Sequence, residues 1–167
     1  MGKVLFWSCF ASVFFSMLSA TVLANIAILP VVPDLVLLVV LYVSFMNNAV
    51  IGSTTGFISG LLFDFLSAAP VGLNSFTKTV IGYATGKLSG MYNLDKILVP
   101  FLMGAGATLV KMLTITVLSL LFGGKVVVFG LADSTFWLEV LFTGCCAPIV
   151  FALLALFPSL FIIRSNR

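Results

Sequence analysis

Residues 33–66 read PDLVLLVVLYVSFMNNAVIGSTTGFISGLLFDFL. Two apolar runs, Leu35–Met46 and Ala49–Leu66, are parted only by Asn47 and Asn48, which mark a turn. Apolar segments joined so tightly describe an α-helical membrane protein, in which each helix satisfies its own backbone away from water. Pro33 ends whatever helix precedes it, because proline cannot continue one. Asp34 then stands where a carboxylate satisfies the free N–H groups and the positive dipole end of a new helix. That new helix is short, about 18 Å by helical rise. It must thin the bilayer, recruit flanking residues, or be shielded by its neighbours.

The rest of the chain has the same character. Of 167 residues, 62% are hydrophobic and 8% charged, whereas a soluble domain carries roughly 25% charged residues. The outer surface therefore faces lipid, and no length remains for a catalytic head or a nucleotide-binding domain. The net charge of +3 is carried by scattered basic residues, without the clustering that nucleic acid would require. Cys9, Cys145 and Cys146 lie in apolar runs and read as small buried hydrophobes. With no His, the common imidazole ligand and acid–base group is missing. No phosphate loop, metal set or nucleophile–base pair is present, and no cofactor is expected.

Spans are expected at about 4–28, 35–46, 49–66, 73–88, 97–122 and 135–163, an all-α bundle of six transmembrane helices in one polytopic domain. Lys3 and the run from Val4 imitate a signal peptide, but the first segment is expected to remain as an uncleaved span that ends at Pro30 and Pro33. With six spans, Lys3, Lys87, Lys96, Arg164 and Arg167 share one side against Lys125 alone on the other. The positive-inside rule then places both termini in the cytoplasm.

In the third span Gly52, Gly56 and Gly60, with Ser53, Thr55 and Ser59 beside them, form a stripe, since four-residue steps drift by only about 40° on a helix. Such a stripe permits close helix approach; packing within the chain is the plainer reading and a partner-binding face the sharper one. Ala11, Ser12, Ser16, Ser19 and Ala20 could form a second small-residue surface in the first span. Asn74, Lys78, Gly82 and Gly86 make another four-residue series in the fourth span. Pro70 and Gly72 make the tight turn between the third and fourth.

Charges at depth cost about 2.5–3.5 kcal/mol each on insertion scales and call for a partner or a cavity. Asp64, near the end of the third span, and Lys78, in the antiparallel fourth, reach similar depth and are predicted to pair directly or through water. The competing reading has Lys78 snorkelling outward and Asp64 only capping a helix end. Lys111 lies mid-span, and Glu139 is the only acidic residue on the following helix, at a depth that matches poorly. A cavity, a neutral lysine and a residue on a partner protein are equally open for it.

Pro33-Asp34 with its apolar run, Gly56-Phe57-Ile58-Ser59-Gly60-Leu61-Leu62-Phe63-Asp64, Pro70-Val71-Gly72-Leu73 and Gly82-Tyr83 occur in an order that resembles the rod shape-determining protein MreD family. The resemblance covers about residues 30–90 and implies a non-enzymatic scaffold of the bacterial inner membrane. It implies association with an MreC-like single-pass membrane protein, and through it with MreB and the peptidoglycan glycosyltransferase and transpeptidase. It also implies a compact bundle like the substrate-binding component of energy-coupling-factor transporters, so solute capture for a vitamin-type transporter is the alternative. Carried onto this chain, the motif positions are Pro33, Asp34, Gly56, Gly60, Asp64, Pro70, Gly72 and Tyr83; Lys78 and Lys111 fall outside the motif.

Overall fold

All regular structure among the described residues (2–23, 32–67, 70–91, 97–121 and 134–162 of the computed structural model) is helical. The order is α1 (Gly2–Leu18), continued by a π-helical turn over Ser19–Leu23, then α2 (Leu35–Met46), α3 (Ala49–Leu66), α4 (Leu73–Lys87), α5 (Leu98–Leu121), α6 (Ser134–Ala155) and α7 (Pro158–Phe161). Four helical stretches are long and apolar enough to cross a membrane: Gly2–Thr21, Ala49–Leu66, Leu98–Leu120 and Ser134–Ala155. At 12 and 15 residues, α2 and α4 are shorter. The far end of the first expected span with Pro30, most of the 123–134 loop, and the orienting residues Lys96, Lys125, Arg164 and Arg167 lie outside the described residues.

The short helix α2 is the centre of the bundle. Asp34 caps α2 by accepting the Leu37 N–H at 2.9 Å. Every residue from Leu35 to Phe45 is buried, as expected of a helix that is apolar all round. Helices α1, α3, α4, α5 and α6 all touch it. Neighbouring helices therefore shield this short apolar segment. Tyr42 sets its ring edge-on to Phe151 and Phe161, with centroids 5.5 and 6.3 Å away, which brings α6 and α7 onto α2.

Asn48 caps α3 in the same manner, accepting the Ile51 N–H at 3.0 Å. From there α3 and α4 run antiparallel with their backbones in contact. A Cβ on Gly60 would lie 2.5 Å from Ser75 Cα, and one on Gly86 2.5 Å from Ala49 Cα. On Gly56 it would strike the Lys78 carbonyl, and Gly52 and Gly82 face each other in the same way. The α3 stripe is thus buried within the chain, and so is much of the small-residue face of α1. There the Ser12 hydroxyl donates to Ser59 Oγ at 2.9 Å, and Ala11 and Ser16 are also buried.

Helices α5 and α6 form a second antiparallel pair, with Gly104 facing Ala147 and Gly144 facing the Phe101 ring. The segment expected as one span over 135–163 is broken. Helix α6 stops at Ala155, and after Leu156 and Phe157 the chain restarts at Pro158 as α7, because proline suits a helix's first turn and cannot donate within it. Cys145 also departs from expectation: it is exposed on α6, while Cys9 and Cys146 are half-buried, and all three are free thiols.

The glycine contacts make a contrast that thermal unfolding in detergent can measure. Gly56→Ala should cost about 1–3 kcal/mol or more, since the added methyl meets backbone that cannot yield. Gly106→Ala on α5, where a Cβ meets nothing within 4 Å, should stay within about 0.5 kcal/mol. Equal losses at the two sites would mean that α3 and α4 do not touch as described.

Candidate functional site

Helix α2 has 12 residues and its antiparallel neighbour α3 has 18. At 1.5 Å rise per residue, the N-terminus of α2 therefore stops about 9 Å short of the end of α3. Asp34 is sunk at that step, and two lysines reach it there. Side chains on a helix lean toward its N-terminus, so Lys78 points up α4 and brings Nζ to 3.1 Å from Asp34 Oδ2. Lys111 arrives from mid-α5, with Nζ also 3.1 Å from Asp34 Oδ2 and 2.7 Å from Glu139 Oε1 on α6. The Lys78 ammonium further lies 4.6 Å from the Phe63 ring centroid. Two cations face two carboxylates, and the group is neutral.

Asp64 belongs to a neighbouring arrangement. Its carboxylate accepts the backbone N–H groups of Gly72, Asn74 and Ser75 at 2.9, 3.1 and 3.1 Å. It therefore caps α4 from the end of α3, where helix dipole and free donors favour an anion. The expected direct pair between Asp64 and Lys78 does not form. Asn74 stands between them, donating to Asp64 Oδ1 at 2.9 Å while its own Oδ1 lies 3.5 Å from Lys78 Nζ. Lys78 does not snorkel either, since only 1% of its side chain is exposed. Lys111 and Glu139 are partly exposed at the surface of the bundle, with 19% and 18% of their side chains uncovered. Their mismatch in depth is spanned by the length of the lysine.

A cleft of about 330 Å³ opens over the step, with Asp34 and Lys111 in its lining. Asn74, Lys78 and Asp64 are not part of its lining. Pro33 anchors one edge, its carbonyl accepting the Ser19 hydroxyl of the π-helical turn at 3.3 Å. Gly72 adopts φ 98° at the start of α4, a left-handed conformation that suits glycine, and this directs its N–H to Asp64. The Pro70 carbonyl accepts the Leu73 N–H at 3.2 Å. Tyr83 is exposed on the outer face of α4, with the Lys87 ammonium 5.1 Å from its ring, away from the charged group. Among the described residues, no three His, Cys, Asp or Glu side chains gather to hold a metal ion.

The family model described as rod shape-determining protein MreD matches residues 1–157 of the 167-residue chain. The chain belongs to the MreD family. No curated protein and no solved structure gives a match. Membership makes it a membrane component of rod-shape determination. Most positions that carry the resemblance meet in two places. Pro33 and Asp34 start α2, and Gly56, Gly60, Asp64, Pro70 and Gly72 close the α3–α4 hairpin. The glycine stripe was legible from spacing, but the convergence of both lysines on Asp34 was not.

Removing the shared carboxylate leaves Lys78 without an ion partner, while Lys111 keeps Glu139. Asp34→Asn should lose about 3–5 kcal/mol of stability, the range for breaking a buried pair from one side. Adding Lys78→Met should restore part of that loss. Chemical denaturation of the four proteins of this cycle would show it, and strictly additive losses would refute the coupling.

Proposed function

We propose that the protein is a non-enzymatic scaffold of the cell-elongation machinery in the bacterial cytoplasmic membrane, with six spans and both termini in the cytoplasm. The observation that carries this reading is the match to the MreD family over residues 1–157. Two structural features support it. The interior is filled by the chain's own side chains around α2, and the buried charges neutralise one another, as suits a rigid element that others recognise. The short α2 and α4 serve as the two additional spans, α2 being enclosed by its neighbours. Lys3, at the start of α1, and Lys87, at the end of α4, fall on the cytoplasmic side of that arrangement.

The partner is an MreC-like single-pass protein, which connects the scaffold to MreB and to the peptidoglycan glycosyltransferase and transpeptidase. Because Gly52, Gly56 and Gly60 are covered by α4, the partner's helix meets an outward face of the bundle rather than that stripe. A second reading, solute capture for a vitamin-type transporter, draws on one observation. The 330 Å³ cleft exceeds the lower limit of about 300 Å³ for small-molecule sites.

A tagged form at native expression, solubilised in mild detergent and affinity-purified, should bring down an MreC-like protein and cell-wall synthesis enzymes. Recovery of a transport ATPase with a coupling subunit in their place would reverse the order of the two readings.

A further inference from the structure

We propose that α5 and α6 form a hinged arm, which swings as one unit about the break between α6 and α7 and is latched shut by the Lys111–Asp34 contact. The inference does not depend on which partner the scaffold meets. The α1–α4 body keeps its rigid surface, and the movable part is confined to α5 and α6.

The charges are distributed so that the latch can open. Asp34 and Lys78 pair within the α1–α4 body at 3.1 Å, and Lys111 and Glu139 pair within the arm at 2.7 Å. Among the ion pairs of the described residues, only the 3.1 Å contact between Lys111 and Asp34 crosses from arm to body. Parting it leaves two neutral pairs. Parting either of the others would strand a charge at depth, where a lone ion is costly. The group is divisible at one contact and at no other.

Packing sets the axis at the far end from the latch. Helices α5 and α6 are closely joined, a Cβ on Gly104 lying 3.0 Å from Ala147 Cβ, so they move together. The α6 residues in the hydrophobic core are Ala147, Val150, Phe151 and Leu154, all in the half of the helix nearest α7. Beyond them the chain breaks at Leu156 and Phe157, both exposed, and Pro158 has no N–H to bridge the gap. Helix α7 stays with the body. The Asn47 side-chain amide donates to the Phe161 carbonyl at 2.8 Å, and the helix packs on α1. Residues at the ends of elements are where hinges absorb backbone rotation.

The arm also has room to move. Of the four long apolar helices, α5 has the smallest buried share. The 330 Å³ cleft lies beside Lys111, and a groove of about 490 Å³ lies between Met103 and Gly106 of α5 and Ile81 and Thr85 of α4. From Ala155 to Glu139 the lever is about 24 Å long, so a swing of about 10° moves the latch by about 4 Å.

Spin-label distances would test the swing, in the full chain made cysteine-free at Cys9, Cys145 and Cys146 and reconstituted into nanodiscs. Phe65→Cys with Leu120→Cys reports across the latch end, and Val50→Cys with Leu153→Cys reports near the hinge; all four positions are exposed. Two double variants each remove the latch and leave the other pair whole: Lys111→Met with Glu139→Gln, and Asp34→Asn with Lys78→Met. In both, the latch-end distance should lengthen by about 4 Å or more and broaden, while the hinge-end distance holds. Lys78→Met alone keeps the Lys111–Asp34 contact and should leave both distances as in the unaltered protein. The two double variants disturb different helices, so one suffices if the other does not fold. An unchanged latch-end distance in a folded double variant, equal lengthening at the two ends, or opening in Lys78→Met alone would overturn the proposal.

Discussion

Asp34 Oδ2 receives two lysines at once, from α4 and from α5, at 3.1 Å each, while Oδ1 caps α2 at 2.9 Å. Each of these charges alone would oppose insertion by about 2.5–3.5 kcal/mol. Brought together, they offset one another and leave no free ion at depth. Lys111 extends the group to Glu139 on α6. One carboxylate therefore ties the α1–α4 part of the bundle to the α5–α6 pair, which otherwise meets it chiefly through α2. Without that convergence the second pair would have a polar seam facing lipid.

The convergence depends in turn on two geometric conditions. Asp34 reaches the depth of Lys78 only because α2 is 12 residues long. Lys78 comes close enough only because α4 lies backbone-to-backbone on α3, with Gly56 directly beneath its carbonyl. Lipid gives helices no hydrophobic reason to associate, so the close approach allowed by glycine and the capping of α4 by Asp64 supply much of what holds this hairpin. Packing and electrostatics are here the same arrangement seen at two scales.

How far the sequence discloses this differs by element. Proline before an aspartate, and paired asparagines between apolar runs, are local signals, so the starts of α2 and α3 could be read directly. The four-residue glycine spacing is also local, and its burial against α4 follows from the short turn. Lys78 finds its partner 44 residues away, across a helix whose shortness matters only once its neighbours are in place. Two lysines within apolar segments, each needing a carboxylate, and only five acidic residues in the chain were the signal that could have pointed to Asp34. The break at Pro158 carries the same signal as Pro33, a proline, here followed by Ser159, but Pro148 sits inside α6 without ending it, so proline alone does not locate the break. Exposure of Cys145 was hidden because the residues around it are apolar or small on either face of α6, so its exposed side looks like its buried side.

The enclosure of α2 has a consequence for how the protein is made. A helix of 12 residues reaches about 18 Å, well short of the roughly 30 Å hydrocarbon core, and cannot rest stably across a bilayer as an independent segment. Its depth is defined only by the longer helices that surround it, some of which are synthesised after it. The surroundings of α2 are therefore complete only once α5 and α6 are in place against it.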